Sequence, residues 1–429
     1  MLLKRHALDL IVGHLGVFRV IALTGARQVG KSTLARMVLD RVPGTYLTLD
    51  DPLTLERATR DPDGLVASRD GLLVIDEVQR APDLLRAIKL VVDRDPLPGR
   101  FLLTGSANLL GLRHVTESLA GRAIYLELLP LSWSEIVGAP CPTTIDDAFA
   151  AGSAQDFLTT LRLPSADSAA GARERALAGG MPEAYGLEVG LRWRWYQSYR
   201  TTFLERDLRQ LSEISNAPDF NRLTSLALLR SAGLLNKSSF AVDAQLSRPT
   251  VDRYLNLLQV AYQIRLLYPY FANPTKRLVK SPRLYAVDSG AAAWAANAVD
   301  WRAAAASARD GSLLETFAVS DIIAWDGLSA RSRYSFWRTS AGAEVDLVIE
   351  RGDAVVALEF KSTSGMRWSD LSGLRALRGD LGARFKLGIV ANLGAEAREV
   401  DDRIVAVPLA ALLGVGAPAR SAADTVRAS

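Results

Sequence analysis

The chain has almost none of the residues that build covalent or zinc-held scaffolds. Its single cysteine, Cys141, leaves no internal disulfide to form. Three histidines, His6, His14 and His114, argue against a zinc site, so any metal is expected to be held by oxygen. No apolar run reaches the roughly 18 to 20 residues of a bilayer span. The opening Met1-Leu2-Leu3-Lys4-Arg5-His6 lacks the apolar core and cleavage site of a secretory signal, and a cytoplasmic protein without membrane contact is expected. Lysine is also scarce, at 8 of the 51 basic residues. Arginine suits phosphate recognition through its planar fork of donors. Arginine-rich, alanine-rich composition is equally what a GC-rich genome encodes, and a net charge of +4 is too small to argue for nucleic acid by itself. What is present is ordinary for a globular chain: 429 residues, 49% hydrophobic and 23% charged, long enough for two to four domains.

Against that background one stretch is specific. Gly25-Ala26-Arg27-Gln28-Val29-Gly30-Lys31-Ser32, followed by Thr33, fits Gly-x4-Gly-Lys-[Ser/Thr] without a mismatch. Glycines at those two places let backbone N–H groups wrap a phosphate, and the helix that follows presents its positive end to the same charge. Lys31 is expected to reach the β- and γ-phosphates and Ser32 to place its hydroxyl on Mg²⁺. The flanks agree, because Val20-Ile21-Ala22-Leu23 reads as a buried strand and Leu34 to Leu39 as a helix. A first helix over Ala7 to Leu15 precedes them.

A second strand is expected at Tyr46 to Leu49, and a third at Gly71-Leu72-Leu73-Val74-Ile75-Asp76-Glu77. Two acids closing an apolar strand sit at the ligand edge of a parallel sheet. Asp76 is expected to support Mg²⁺ and Glu77 to act as the base that polarises the attacking water. The fourth strand, Phe101 to Ser106, offers Ser106 and then Asn108 as polar sensors of the γ-phosphate or the water, although such residues also simply make turns. Arg122, ahead of a fifth strand over Ala123 to Leu128, has two readings: transition-state charge stabiliser, in cis or from a neighbouring subunit, or surface salt bridge.

The run from the phosphate loop through Leu128-Leu129-Pro130-Leu131-Ser132-Trp133-Ser134-Glu135 resembles the AAA-type domain of a widespread prokaryotic ATPase family whose C-terminal half is a domain of unknown function. Gly179-Gly180-Met181-Pro182-Glu183 and Glu205-Arg206-Asp207-Leu208 extend the resemblance over nearly the whole chain. It implies ATP and Mg²⁺ as cofactors and leaves the biological role open.

Residues 138 to 172 have broken periodicity and read as short helices and loops. The run Arg192-Trp193-Arg194-Trp195-Tyr196-Gln197-Ser198-Tyr199-Arg200 interleaves arginine with aromatics, which suits either nucleic-acid stacking or the core face of a helix edged by Arg stems. Further on, Leu223 to Leu235 and Phe240 to Ala244 read as helices, followed by a helix opening at Ser247-Arg248-Pro249. Val251, Leu255 and Leu258 then share one face and leave Arg248, Thr250 and Arg253 outward, which is helix-turn-helix spacing with Ile264 to Tyr268 and Arg283 to Val287 as a wing. Contact with duplex DNA and a role in dimerisation or domain packing are both open to such a module.

In the last third, Leu313 to Val319 reads as a helix, and strands at Ala343 to Ile349 and Ala354 to Lys361 as a hairpin turning at Glu350-Arg351-Gly352-Asp353. Pairing Glu350 with Asp353 sets Asp346 opposite Ala357 and Glu344 opposite Glu359. Glu344, Asp346, Glu359 and Lys361 then share one face, and Val345, Leu347, Val356, Leu358 and Phe360 the other. Glu315, Asp346, Glu359 and Lys361 together resemble the PD-(D/E)xK nuclease-like core, with Val345 where the pattern has Pro. That resemblance implies metal ligation by Asp346 and Glu359; a charged face on an ordinary hairpin is the other reading.

The expected architecture is therefore α/β. An AAA-type parallel-sheet domain spans 1–137, a helical lid or connector 138–218, a winged-helix-like module 219–290, and a nuclease-like α/β domain 291–413, with a disordered tail at 414–429. The expected activity is Mg²⁺-dependent ATP hydrolysis that drives C-terminal domains on DNA. A nucleotide-controlled switch that binds a protein partner and an ATP-gated nuclease are the alternatives, and a homo-oligomer is compatible with all three.

Overall fold

The computed structural model describes residues 3–67, 71–105, 119–164, 168–210, 216–271 and 280–416, the helix residues 202–210 by backbone alone. Five short strands open the fold, the three central ones apolar and buried throughout: β1 (Val20–Thr24), β2 (Gly44–Thr48), β3 (Leu72–Asp76), β4 (Phe101–Thr104) and β5 (Ala123–Glu127). They form one sheet in the order β2-β3-β4-β1-β5, every pair parallel. Near-continuous apolar strands suit this because helices bury both faces. Ile21 and Leu23 face Ile11, Leu34 and Val38 of the helices Ala7–Leu15 and Lys31–Leu39. Val20 and Ala22 face Leu84, Leu85 and Ile88 of Leu84–Arg94. Parallel strands place all their C-terminal ends on one edge, so Thr24, Asp76 and Thr104 arrive together.

The middle of the chain is helical. Ser168–Ala178 and the long Val189–Gln210 are followed by Ala217–Leu229, Lys237–Ala244 and Arg248–Val260. Three strands, β6 (Gly233–Leu234), β7 (Ile264–Leu267) and β8 (Arg283–Ala286), make an antiparallel sheet in the order β6-β8-β7. Ser247 caps the helix Arg248–Val260, accepting from the Thr250 N–H at 3.3 Å, with Pro249 in its first turn. Val251, Leu255 and Leu258 are buried, while Arg248 and Arg253 are exposed and Thr250 is half-buried.

The last domain is built on a mixed sheet of β9 (Arg333–Arg338), β10 (Glu344–Arg351), β11 (Ala354–Phe360), β12 (Phe385–Asn392), β13 (Arg398–Asp401) and β14 (Ile404–Pro408), in the order β13-β14-β12-β11-β10-β9. The β10–β11 hairpin exists, but its register is two residues from the expected one: Arg351 pairs with Ala354 and Leu347 with Leu358, around the two-residue turn Gly352-Asp353. A shift of two preserves the alternation of faces. A bulge between Val345 and Val348 does not, and Val345 packs with Val348, Val355 and Ala357 instead of with Leu347. Neither face is left to solvent. One lies under the helix Asp310–Asp326 and the helices Thr144–Ala150 and Ala154–Thr160, the other under Ser372–Leu381. Thr144 and Asp146 tie the 138–164 segment to this domain, through the Leu412 carbonyl at 2.6 Å and Arg351 at 2.5 Å. Among the described residues no helix is long and apolar enough to cross a membrane.

Candidate functional site

The loop between β1 and the helix Lys31–Leu39 is shaped by what it cannot contain. A Cβ at Gly25, where φ is +140°, would lie 2.3 Å from the Leu128 carbonyl oxygen, so only glycine lets the chain turn there. Lys31 is buried, and its ammonium donates to the loop carbonyls of Gly25 at 3.0 Å and Ala26 at 2.7 Å. Ser32 donates to Asp76 Oδ1 at 3.0 Å, which joins the loop to the end of β3. These groups fit a nucleotide with Mg²⁺: a backbone cradle that a side chain would fill, an ammonium beside it, and a hydroxyl and carboxylate within one hydrogen bond of each other.

Four residues that sequence reasoning passed over complete this edge. Thr104, the last residue of β4, donates to Asp76 Oδ1. Tyr46 donates to Asp76 Oδ2 at 2.7 Å; burial and that carboxylate push its phenol up to about 12. Gln79 donates to Glu77 Oε2, and Glu77 itself leaves the strand in a left-handed conformation, φ 56°. Arg5 is 6% exposed and donates to the Val29 carbonyl at 2.9 Å, to that of Leu129 at 2.6 Å and to Glu135 at 3.1 Å. Glu135 also closes a capping box with Ser132, so the Leu128 to Glu135 motif is an anchor for Arg5 and through it for the phosphate loop. The signal for Arg5 was a charged residue heading an amphipathic helix, which by itself is unremarkable.

The second family-like motif also reaches the loop. A Cβ at Gly180 would stand 2.2 Å from the Leu131 carbonyl oxygen, and the Gly180 N–H donates to buried Asp288 at 2.8 Å. Pro182 lies beside Gly30, where an added Cβ would meet it at 3.8 Å. Three aromatics of Val189–Gln210, Trp195, Tyr196 and Tyr199, pack together. Tyr196 is buried on Asp288 at 2.6 Å, Trp195 stacks on Tyr199 with ring centres 5.0 Å apart, and the Tyr199 hydroxyl donates to the Arg27 carbonyl at 3.4 Å. The core reading of that run holds for these three rings, while Arg192, expected as an edge stem, is buried at 8% exposure.

Arg122 stands apart from the phosphate loop in a two-point pair with Asp93, at 2.5 and 2.8 Å. Ser106 and Asn108 lie outside the described residues, as do the side chains of Glu205 to Asp207.

Glu315, Asp346, Glu359 and Lys361 are brought together, but around a cation that the sequence pattern did not include. Arg283, on β8, donates to Glu315 at 2.9 Å, to Asp346 at 3.0 Å and to Glu344. Tyr285 donates to Glu315 at 2.6 Å and the Phe360 N–H to Asp346 at 3.0 Å. Burial alone would lower the Arg283 pKa, and the carboxylates of Glu315 and Asp346 raise it instead. Lys361 pairs with Glu359 at 2.9 Å; burial, then the Asp346 charge, push Glu359 up to about 8. Among the described residues no three His, Cys, Asp or Glu side chains gather as metal ligands. Where the sequence pattern expects a metal on Asp346 and Glu359, the Arg283 guanidinium pairs with Asp346 and the Lys361 ammonium with Glu359.

Comparison with known proteins divides the chain in three. Residues 17–137 match a family described as AAA domain, 170–302 a domain of unknown function (DUF8612) and 310–412 another (DUF4143). An uncharacterized protein of Mycobacterium tuberculosis is 32% identical over 402 residues, covering 92% of this chain and 81% of its own, and one of Mycobacterium bovis matches to the same extent. Among solved structures, a Walker-type ATPase of Pyrococcus abyssi aligns over 68% of this chain and 96% of its own, at TM-score 0.40 and 15% identity. The RuvB Holliday junction branch migration motor of Thermotoga maritima aligns over 61% of this chain and 89% of its own, at TM-score 0.30 and 17% identity. Both structures are too distant to carry an argument about this chain.

Proposed function

This chain belongs to the same family as its two uncharacterized mycobacterial relatives and carries an AAA domain over residues 17–137, and from that premise we propose a Mg²⁺-dependent ATP hydrolase whose nucleotide state is passed from the phosphate loop to the middle and C-terminal domains. One observation carries the coupling: the middle domain touches the loop itself, through Tyr199 on the Arg27 carbonyl and Pro182 beside Gly30.

The residues divide the work. Backbone N–H groups from Gly25 to Thr33 and the Lys31 ammonium would bind the phosphates. Ser32 and Asp76 would hold Mg²⁺, which when bound neutralises charge on the phosphate oxygens. Tyr46 and Thr104 orient the Asp76 carboxylate from both sides. Glu77, steadied by Gln79, would take the proton of the attacking water. Arg122 is occupied by Asp93 and is given no part.

What the motion acts on is read from the 219–290 module. Its helix-turn-helix order, three-stranded sheet and the exposed Arg248 and Arg253 suit duplex DNA, with Thr250 between them at the helix start. Arg283 among the acids argues against the ATP-gated nuclease. The test is the steady-state hydrolysis rate with Mg²⁺, with and without duplex DNA. Several-fold stimulation that is lost in the double variant Arg248→Ala, Arg253→Ala is expected. Turnover indifferent to DNA would overturn the DNA half and favour a switch that recruits a protein partner.

A further inference from the structure

Three arginines of the middle domain converge on one cleft, and the three acids that line it with them, Glu174, Glu188 and Asp300, leave part of the guanidinium donors unused. The cleft, roughly 790 Å³, lies between Ser168–Ala178, the start of Val189–Gln210 and the helix Trp301–Ala306. Arg175 is 7% exposed and Arg192 8%. Each leaves a buried guanidinium nitrogen without a partner, Nη1 of Arg175 and Nε of Arg192, and Arg173 Nε beside them is unpartnered too. The available compensation is thin. Arg192 Nη2 donates to the Leu187 carbonyl at 2.8 Å, and Arg175 Nη2 reaches Glu174 at 3.2 Å, a side chain that is 67% exposed. Asp300 on the rim is already used, accepting from the Ala303 N–H at 2.7 Å as a helix cap.

Buried guanidiniums are ordinarily matched by carboxylates, because desolvation disfavours an unpaired charge. Burial, with Arg175 nearby, accordingly draws the Arg192 pKa down. Aromatic walls stand beside the guanidiniums: Arg173 lies 6.0 Å from the Trp301 ring centre and Arg175 5.7 Å from that of Tyr185. Unused planar donors for an oxyanion, flat apolar walls for a ring and a volume within the range of small-molecule sites make one description. We propose that this cleft binds a small phosphate-bearing ligand with a planar ring, of the nucleoside monophosphate class. None of its lining residues belongs to the phosphate loop, so the two sites can be filled together.

The experiment uses the full chain saturated with ADP and Mg²⁺, so that the phosphate loop is occupied. Uridine 5′-monophosphate is titrated by calorimetry, with uridine as the uncharged control. Saturable binding is expected, at least about tenfold weaker for uridine. Arg192→Met and the half-exposed Arg173→Gln should each weaken uridine monophosphate by about tenfold or more while leaving ADP affinity within about twofold of the parent. ADP binding reports that each variant is folded; should Arg192→Met fail that check, Arg173→Gln decides. No saturable heat in the parent, equal affinity for uridine, or parental affinity in the folded variants would each overturn the proposal.

Discussion

Arg283 Nη1 donates to Asp346 Oδ1 across 3.0 Å and to Glu315 across 2.9 Å, so a residue of β8 in the middle domain occupies the centre of an acidic cluster in the C-terminal domain. The contact has two consequences. It neutralises acids that would otherwise repel one another, and it fastens the three-stranded sheet to the six-stranded one.

Arg283→Met tests this. The Arg283 side chain is 7% exposed and those of its partners Asp346 and Glu315 11% and 14%, so removal leaves uncompensated carboxylates out of water. A loss of about 3 to 5 kcal/mol is expected from breaking a buried pair. The triple variant Arg283→Met, Glu315→Gln, Asp346→Asn should recover part of it. Denaturant midpoints read both, and a single variant as stable as the parent would show that the cluster does not depend on the cation.

Asp321 gives a pH prediction. It accepts from the Trp133 N–H at 2.6 Å and from Trp325 Nε1 at 3.1 Å, and burial pushes its carboxyl up to about 7. A carboxyl whose folded pKa is raised binds its proton more tightly in the native state, so its contribution is full below the unfolded value of about 3.9 and is lost as pH rises through about 7. Thermal melts of the parent and Asp321→Asn from pH 4 to 8 should therefore show the parent losing stability relative to the variant across that window. A constant difference would mean that Asp321 is not protonated in the fold.

Arg5 should matter far more than its place just ahead of the first helix suggests. Arg5→Ala removes the support of the Val29 carbonyl within the phosphate loop and leaves Glu135, 5% exposed at the side chain, without its cation. Loss of about 3 to 5 kcal/mol together with weaker ATP binding is expected. Arg5→Lys should rescue little, because one ammonium cannot reach three acceptors that a planar fork spans. Denaturant titration and nucleotide binding measure the two effects, and full rescue by lysine would reduce Arg5 to a point charge.

How far the sequence could be read depended on whether a signal was local. The phosphate loop, Asp76 at the end of β3 and the Ser247 cap are each written in a few consecutive residues whose backbone geometry dictates their type. Partners drawn from distant segments left no such trace: Arg5 meets Glu135, Gly180 meets Asp288, and Arg283 meets Asp346 only after the domains have packed. The hairpin lay between these cases. Alternation gave β10 and β11 their faces, but the turn could close around Gly352-Asp353 as well as one residue earlier, around Arg351-Gly352, and nothing in the apolar pattern announced the bulge at Val345.

The last prediction separates binding from chemistry at the phosphate loop. Lys31 now satisfies its ammonium on the Gly25 and Ala26 carbonyls, and a bound nucleotide would offer it phosphate oxygens in exchange. Lys31→Ala should therefore lose nucleotide affinity and turnover together. Glu77→Gln keeps the side chain's size and its neighbour Gln79 but removes the base, so ATP should still bind while kcat falls by about 10²- to 10⁴-fold. Equilibrium ATP binding and steady-state hydrolysis on the two variants distinguish the roles. Parental turnover in Lys31→Ala would remove the phosphate-loop assignment, whereas parental kcat in Glu77→Gln would leave that assignment standing and move water activation to another group on the same sheet edge.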